Sequence, residues 1–228
     1  MQQTEENTKV LRLLRIVFDL QLQPWELGKF RGAISDKVGL EHDWYHNHQV
    51  DGGVLHRYPL IQYKLHRQQP MLLYLGSGVE EAKHFFDKPD WTLRIGNQVH
   101  DMRIQNMELE QHRLMTLEDK ATYRLHNWIA LNPQNFERYQ ETESLGQRIL
   151  LLEHILKGHL WGFCEGVDWQ PEVDIEVSIL NVFSDKYVSY RGVKVLSFKL
   201  DFKCNLSLPD FVALGKGTTV GFGVLRRQ

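Results

Sequence analysis

Cysteine is scarce in this sequence, which has only 2 among its 228 residues, Cys164 and Cys204. Two cysteines at this separation exclude a disulfide framework and a cysteine-based zinc knuckle. Apolar runs are also short, because none approaches the ~18 consecutive residues that a membrane helix needs. The first residues, MQQTEENT, are polar and acidic, unlike a secretory signal peptide. These absences predict a cytoplasmic protein that does not enter a membrane.

The common glycine-rich nucleotide-binding motifs are also missing, although residues 215–223, GKGTTVGFG, contain four glycines. A Walker-type phosphate loop would need glycine and Ser or Thr where Asp210 and Gly217 stand. The dinucleotide fingerprint has the spacing GxGxxG and opens a long helix, whereas this segment has GxGxxxG. Only five residues follow Gly223, too few for that helix. We therefore expect no nucleotide cofactor.

Charge is unevenly distributed along the chain, although the formal net charge is only -2. Residues 105–185 contain 6 Lys/Arg against 14 Asp/Glu, whereas residues 186–228 contain 8 against 2. Residues 9–39 are also basic, with 6 against 3. This segregation suits a polyanionic partner bound by the two terminal segments, although charged runs are often only solvated surfaces.

The first half of the chain predicts six elements in the order β-α-β-β-α-β, which is the ferredoxin-like unit. Leu27, Phe30, Ile34 and Val38 recur at helical spacing and predict one face of the first helix. Residues 40–56 have no clean period and predict a loop. The predicted segments are a strand at 9–20, a helix from Pro24 to Gly39, strands at 57–65 and 71–76, a helix at 79–87, and a strand or hairpin at 91–104.

The second half repeats much of this order. Asn132-Pro133 predicts a helix start, and the apolar residues that follow predict one buried stripe. That stripe comprises Leu145, Ile149, Leu152, Leu156 and Leu160. Strand-like segments lie at 104–131, 172–181, 186–190, 193–208 and 220–226, and the second helix is reduced to LPDFVAL. We therefore predict an α+β fold of two tandem ferredoxin-like domains, residues 1–103 and residues 104–228.

The glycine-rich segment resembles the C-terminal loop of the endoribonucleases that cut CRISPR repeat transcripts, within the RAMP superfamily. The most specific similarity is the ending Gly221-Phe222-Gly223, followed by an apolar residue and a basic tail. The segment is one residue shorter between Gly217 and Gly221 than the longest family version. The segments FRGAISDKVG and RYPLIQYK are similar to the first helix and second strand of the same family.

The resemblance implies that the loop holds the backbone of CRISPR repeat RNA. Successive backbone N–H groups in such a loop form an anion-binding concavity, and missing side chains let a phosphate approach. A simple tight turn would explain only one or two of the glycines. The residues predicted to bind RNA are Arg31, Arg57, Gly215, Lys216, Gly217, Gly221, Gly223 and Arg226.

Five of the eleven histidines fall between positions 42 and 66, in the region where the resemblance places the catalytic histidine. The implied reaction is metal-independent attack of a ribose 2′-hydroxyl on the adjacent phosphate, which leaves a 2′,3′-cyclic phosphate. Imidazole suits either proton transfer because histidine titrates near neutral pH. His46 and His48 form the preferred pair, since side chains at i and i+2 of an extended segment point the same way. Tyr45 is predicted to orient a proton, and Lys64 to stabilise charge.

Alternatives remain at this stage. A zinc site of His42, His46 and His48 has a known ligand spacing, but no fourth ligand is evident, so no metal is predicted. A second possibility is a non-catalytic RNA-binding member of the same fold, acting as a repeat-binding or structural subunit, and a weaker third is a ferredoxin-like protein for a small molecule. The resemblance names repeat RNA as a partner, and it leaves open other CRISPR effector subunits and a homodimer.

Overall fold

A computed structural model describes residues 7–46 and 57–228 of the chain. It divides into two compact units. The N-terminal unit comprises Leu11–His112 and Thr219–Gly221, and the C-terminal unit comprises Arg113–Thr218, Phe222–Gln228 and the described residues up to Val10. Each unit has the ferredoxin-like architecture, so the predicted tandem α+β fold is confirmed.

The N-terminal unit contains a four-stranded antiparallel sheet and three helices. Its elements are β1 (Lys9–Phe18), α1 (Leu27–Val38), α2 (Asp43–His46), β2 (Ile61–His66), β3 (Gln69–Leu75), α3 (Ala82–Phe86), a hairpin of β4 (Thr92–Ile95) and β5 (Gln98–Asp101), and β6 (Ile104–Leu114). Strand order is β2-β3-β1-β6, which is the ferredoxin-like order. In this sheet Leu14 pairs with Tyr74, and Tyr63 pairs with Leu72.

The boundary between the predicted domains differs from the observed arrangement. The sequence analysis assigns residues from 104 onward to the second domain, whereas β6 is hydrogen-bonded within the first sheet. A ferredoxin-like unit needs a fourth strand beside its first, and β6 supplies it. The sequence could not predict that β6 joins the first sheet. Alternating apolar and polar residues indicate that a segment is a strand, but they do not indicate which sheet the strand joins.

The first helix follows the predicted pattern. A 3-10 turn at Pro24–Glu26 carries a reciprocal cap between Gln23 and Glu26, and α1 then continues to Val38. The helix ends at Gly39, whose φ of 115° is unfavourable for any residue with a side chain. The predicted apolar face is buried in the core, with Leu27 at 3% exposure and Phe30, Ile34 and Val38 at 0%.

The C-terminal unit has the same strand order with different helices. Its elements are β7 (Thr116–Trp128), α4 (Pro133–Glu141), α5 (Leu145–Gly166), β8 (Val177–Tyr190), β9 (Val193–Leu206) and β10 (Val224–Arg227). The sheet order is β10-β7-β9-β8. Between β9 and β10, where a second helix would lie, described residues 207–223 form turns and bridges without a helix. The sequence predicts a second helix reduced to LPDFVAL, whereas residues 208–214 are not helical in the structure.

The predicted apolar stripe is only partly correct. Leu152, Leu156 and Leu160 are buried in α5, as expected. Leu145 is 72% exposed, because it is the first residue of α5 and a break after Glu141 separates this helix from α4. The side chain of Asn132 caps the N-terminus of α4, and the side chain of Ser144 caps the N-terminus of α5. The segment therefore forms two helices where the sequence predicted one. In the described part of the chain, no helix is both long and apolar enough to cross a membrane.

Candidate nucleic-acid cleavage site

The short helix α2 carries two of the predicted site residues, Tyr45 and His46. A turn links α1 to α2, since the backbone N–H of His42 donates to the carbonyl of Gly39 at 3.1 Å. The half-buried His46 ring lies with Nε2 2.9 Å from the carbonyl oxygen of Leu40. Arg31, on α1, donates from Nη2 to the backbone carbonyl of His46. The structure thus brings Arg31 next to the backbone of His46.

His48, the other half of the predicted histidine pair, lies outside the described residues, and so does His56. The proposed i and i+2 geometry of His46 and His48 therefore stays a prediction. His46 itself ends α2.

Tyr45 is 1% exposed, so its hydroxyl does not face open solvent. This hydroxyl donates to the backbone carbonyl of Glu81 at 2.8 Å and lies 3.2 Å from the hydroxyl of Tyr74. Burial raises the pKa of Tyr45, partly offset by the hydrogen bond with Tyr74. The side chain therefore anchors α2 to the segment before α3.

Tyr63, which the sequence analysis did not single out, connects α2 to the glycine-rich loop. Its hydroxyl donates to the backbone carbonyl of Tyr45 at 3.0 Å, and its backbone N–H donates to the carbonyl of Thr219 at 2.9 Å. The side chain is fully buried, and Val220 forms a parallel bridge with it. The sequence does contain a signal for the burial of Tyr63. Side chains alternate between the two faces of a strand, so Ile61, Tyr63 and Leu65 of β2 share the face that packs on α1.

Arg57 and Lys64 have different environments. Arg57 lies 3.5 Å from a carboxylate oxygen of Asp43 and 4.4 Å from the ring of Trp44, so it is placed beside α2. Lys64 is 1% exposed and lies on the opposite face of β2 from Tyr63. Among the described residues its Nζ has no hydrogen-bond partner, and burial lowers the pKa of Lys64 to about 7. The predicted role of Lys64 in stabilising charge at the site stays a prediction.

All four glycines of the predicted loop have positive φ, between 65° and 87°. They are Gly215, Gly217, Gly221 and Gly223. At Gly223 a Cβ atom would lie 1.9 Å from the backbone oxygen of Leu214, so no other residue fits there without a backbone shift. At Gly221 the nearest atom would be the flexible end of Leu27, at 2.7 Å. Part of the glycine content is therefore required by the loop's own packing.

The two basic residues predicted near this loop differ in exposure. Lys216 is exposed, and its backbone N–H donates to the carbonyl of Ile129 at 3.1 Å. Partial desolvation lowers the pKa of Lys216. Arg226 is half-buried, lies 3.8 Å from the carboxylate of Asp210, and covers the ring of Phe211 at 4.0 Å. Lys216 is thus the more available cation of the pair.

A buried histidine near Lys216 was not predicted. His159, on α5, accepts a hydrogen bond at Nδ1 from the indole N–H of Trp128 at 3.2 Å. Burial, and secondarily the charge of Lys216, lower the pKa of His159 to about 4. A neutral imidazole therefore accepts a hydrogen bond from the indole of Trp128, which would lie 2.8 Å from a Cβ atom at Gly215.

One group of described side chains could bind a metal. His42, Glu81 and His84 each offer a ligand atom, and these atoms lie within 4.8 Å of one another. The weighed set of His42, His46 and His48 includes a residue outside the described range and is not tested. The sequence could not indicate the observed group, because His42 and His84 are 42 residues apart and meet only through the fold.

Comparison with known protein families gives two matches that together span almost the whole chain. Residues 9–113 match the Cas6b N-terminal domain, and residues 98–228 match the Cas6b C-terminal domain. The two matched regions overlap across β5 and β6. The second match alone covers more than half of the chain.

Individual relatives agree with these matches. An uncharacterized protein of Methanocaldococcus jannaschii is 32% identical over 100 residues, which are 44% of this chain and 67% of that protein. A crystal structure of Cas6b superposes with a TM-score of 0.85 at 22% identity, over 96% of this chain and 100% of the other. A structure described as the CRISPR RNA processing endoribonuclease Cas6b has a TM-score of 0.73 at 20% identity, over the same shares. At these identities the two structures establish the fold.

Proposed function

The chain belongs to the Cas6b family, and from this premise we propose that it is an endoribonuclease that cleaves CRISPR repeat transcripts into guide RNAs. A similar fold has been solved for a Cas6b described as a CRISPR RNA processing endoribonuclease. The exposed Lys216 and the basic C-terminal segment suit an RNA substrate.

The observation that carries the proposal is the double hydrogen bonding of Tyr63. Its hydroxyl binds the histidine-bearing helix at Tyr45, and its backbone binds the glycine-rich segment at Thr219. These two segments are the ones that the family resemblance connects with chemistry and with RNA binding. A phosphate held near residues 219–221 would therefore lie in the same unit as His46.

The proposed reaction needs no metal. The 2′-hydroxyl of one nucleotide attacks the adjacent phosphorus, the bond to the 5′-oxygen breaks, and the products carry a 2′,3′-cyclic phosphate and a 5′-hydroxyl. His46 and His48 act as the general base and the general acid. Arg31 and Arg57 lie beside α2 and stabilise the charge that develops on the phosphate.

Other predicted residues take supporting roles in this proposal. Tyr45 is buried against Glu81 and holds α2 in place, rather than exchanging a proton with RNA. Lys64 is buried on the opposite face of β2, so it affects the stability of the unit and not the phosphate. Lys216 and the exposed part of the glycine-rich loop contact the RNA backbone, with Arg226 as a weaker contact because Asp210 partly neutralises it.

The test is incubation of the purified chain with CRISPR repeat RNA in excess EDTA, followed by analysis of the product ends. Cleavage to 2′,3′-cyclic phosphate ends supports the proposal. Loss of cleavage in EDTA that magnesium restores would overturn the metal-independent mechanism. The double variant His46→Ala, His48→Ala is the control for contaminating nucleases.

The same experiment distinguishes the proposed endoribonuclease from the second candidate function, a subunit that binds RNA without cutting it. RNA that is retained by the wild-type chain without any product would indicate a non-catalytic repeat-binding subunit. Homodimer formation remains a prediction that size-exclusion chromatography of the chain alone measures. Association with other CRISPR effector subunits also remains a prediction, and the same method measures it after the chain is mixed with each subunit.

A further inference from the structure

Two histidines and one glutamate in the N-terminal unit converge next to α2, and none of them has a role in the reaction proposed above. His42 lies in the turn before α2, Glu81 ends the 3-10 turn Gly76–Glu81, and His84 is in α3. The imidazole rings of His42 and His84 stack with centroids 3.8 Å apart and an angle of 28°. His84 Nε2 lies 3.8 Å from a carboxylate oxygen of Glu81.

These distances suit a single ion between the three side chains. Zinc binds imidazole nitrogen and carboxylate oxygen at about 2.0–2.2 Å, so neighbouring ligand atoms in a tetrahedral site are about 3.4 Å apart. The three ligand atoms already lie within 4.8 Å of one another. To bind one ion, the two imidazole rings would have to turn out of their stacked arrangement so that one nitrogen of each points at it.

The surroundings of the cluster also suit a bound ion. The side chains of His42, Glu81 and His84 are 24%, 20% and 26% exposed, so an ion can enter and yet is largely removed from water. Glu41 has a carboxylate oxygen 3.7 Å from His42 Nε2 and is a candidate for the fourth position. A water molecule is the other candidate for the fourth position.

We propose that His42, Glu81 and His84 form a binding site for a divalent first-row transition ion of the Zn²⁺ class. Two imidazoles favour such an ion over Mg²⁺ and Ca²⁺, which prefer oxygen ligands. The site joins the turn before α2 to α3. The hydrogen bond from Tyr45 to Glu81 already links α2 to the same region, so the ion adds a second link. Its role is to fix α2, and it supplies no chemistry to RNA cleavage.

The experiment measures zinc binding to the metal-stripped full-length chain by equilibrium dialysis, and thermal unfolding with and without ZnCl₂. We expect one zinc ion per chain and a higher Tm with zinc than with MgCl₂. His84→Ala and Glu81→Gln should each weaken zinc binding by roughly 10–100-fold or more, the loss that even outer partners of a metal site cause. His154→Ala, which removes an exposed histidine of α5, should leave zinc binding unchanged.

A second pair of variants distinguishes this site from one formed by His42, His46 and His48. His42 belongs to both sets, so His84→Ala and His48→Ala are the informative changes. Zinc binding that survives His84→Ala but is lost in His48→Ala would overturn the proposal, and so would a wild-type chain that binds no zinc. If circular dichroism shows that His84→Ala is unfolded, zinc binding to Glu81→Gln becomes the test, because that substitution keeps the shape of the side chain. None of these measurements uses RNA, so they stand whether or not the chain cleaves it.

Discussion

The backbone N–H of Tyr63 donates a hydrogen bond to the carbonyl of Thr219 at 2.9 Å, while the hydroxyl of the same tyrosine reaches the carbonyl of Tyr45 at 3.0 Å. One residue of β2 thus contacts both the segment that carries His46 and the segment that carries Gly221. These contacts are separated by more than 150 residues in sequence. Within the N-terminal unit, Tyr63 therefore links α2 to residues 219–221.

We expect Tyr63→Phe to lose the hydrogen bond to Tyr45 while the backbone bond to Thr219 remains. Loss of one buried hydrogen bond costs about 1 kcal/mol of unfolding free energy. Because α2 then has one anchor fewer, the single-turnover cleavage rate should fall, while RNA affinity changes little. Urea unfolding and single-turnover cleavage measure the two effects.

Tyr123→Phe is the matched control for this prediction. The hydroxyl of Tyr123 is also buried, and it donates to the carbonyl of Leu206 at 2.9 Å in the C-terminal unit. This hydroxyl also accepts a hydrogen bond from the backbone N–H of Leu208 at 3.0 Å, so Tyr123→Phe should lose at least as much stability as Tyr63→Phe and keep the wild-type cleavage rate. Equal loss of cleavage in both variants would show that Tyr63 acts only through global stability.

The glycine-rich loop yields a second prediction. Gly221→Ala combines an unfavourable φ of 81° with a close approach to the side chain of Leu27. Gly192 has nearly the same φ, 79°, but open space around the position of a Cβ atom. Each alanine should cost about 1–2 kcal/mol of stability from the backbone alone. Only Gly221→Ala should also weaken RNA binding, because its Cβ would press on the buried Leu27 and shift the backbone that we propose for holding a phosphate.

Filter binding of repeat RNA, with thermal unfolding in parallel, tests this pair. If Gly221→Ala binds RNA as tightly as Gly192→Ala at equal stability, the loop is only a structural turn. Gly223→Ala should be the most destabilising change in the loop, because its Cβ would collide with the backbone of Leu214. It is therefore unsuitable for a binding test.

Lys64 predicts a particular pH dependence of stability. Burial lowers its pKa in the folded state to about 7, from 10.5. Between these values the unfolded chain binds a proton that the folded chain does not, so this group makes the free energy of unfolding rise with pH from about 7 to 10.5. Below about pH 7 the lysine is charged in both states and the folded state carries the full cost of the buried charge.

Lys64→Met should therefore stabilise the chain most at or below pH 7, on the order of 1.4 kcal/mol for each unit by which the pKa is lowered. Urea unfolding at several pH values between 6 and 10 measures it. Cys164 and Cys204, whose pKa burial raises to about 12, make stability fall at alkaline pH in both proteins, so their effect cancels in the comparison. An unchanged or lower stability of Lys64→Met at pH 6 would contradict the prediction.

The local pattern of residue types was sufficient to predict several elements of the fold. The spacing of Leu27, Phe30, Ile34 and Val38 predicted α1 because a helix with one buried face imposes that period. The density of glycine at 215–223 predicted an irregular loop, and all four glycines have a φ that other residues rarely adopt. The resemblance then connected this loop with RNA, which no local physical property could do.

Most features that could not be predicted depend on contacts between residues that are far apart in the sequence. Nothing local assigns β6 to the first sheet, and nothing in the sequence places Thr219 beside Tyr63 or His84 beside His42. Leu145 continued the apolar stripe of α5, but two helix caps outweighed that pattern and left it exposed at the helix start. The burial of Lys64 was likewise invisible, since a lysine in an apolar strand more often reaches solvent.

The last prediction separates chemistry from RNA binding. His46→Ala and His48→Ala should each leave RNA affinity close to that of the wild type, since a neutral imidazole contributes little to phosphate contacts. The more important of the two should lose roughly 10²–10⁴-fold in single-turnover cleavage rate, the usual contribution of a positioned general acid or base. Lys216→Ala should have the opposite effect: weaker binding, a salt dependence reduced by about one phosphate contact, and an unchanged rate at saturating protein.

Lys194→Ala, which removes an exposed lysine from the same basic segment, is the control for a general loss of charge. It should weaken binding less than Lys216→Ala, because Lys194 lies outside the glycine-rich loop. Wild-type cleavage by both histidine variants would place the active site elsewhere, with Arg31 and His42 as the next residues to substitute. A histidine variant that loses RNA binding and cleavage together would instead indicate that the imidazole holds the substrate, since a proton-transfer group acts on the rate after RNA has bound.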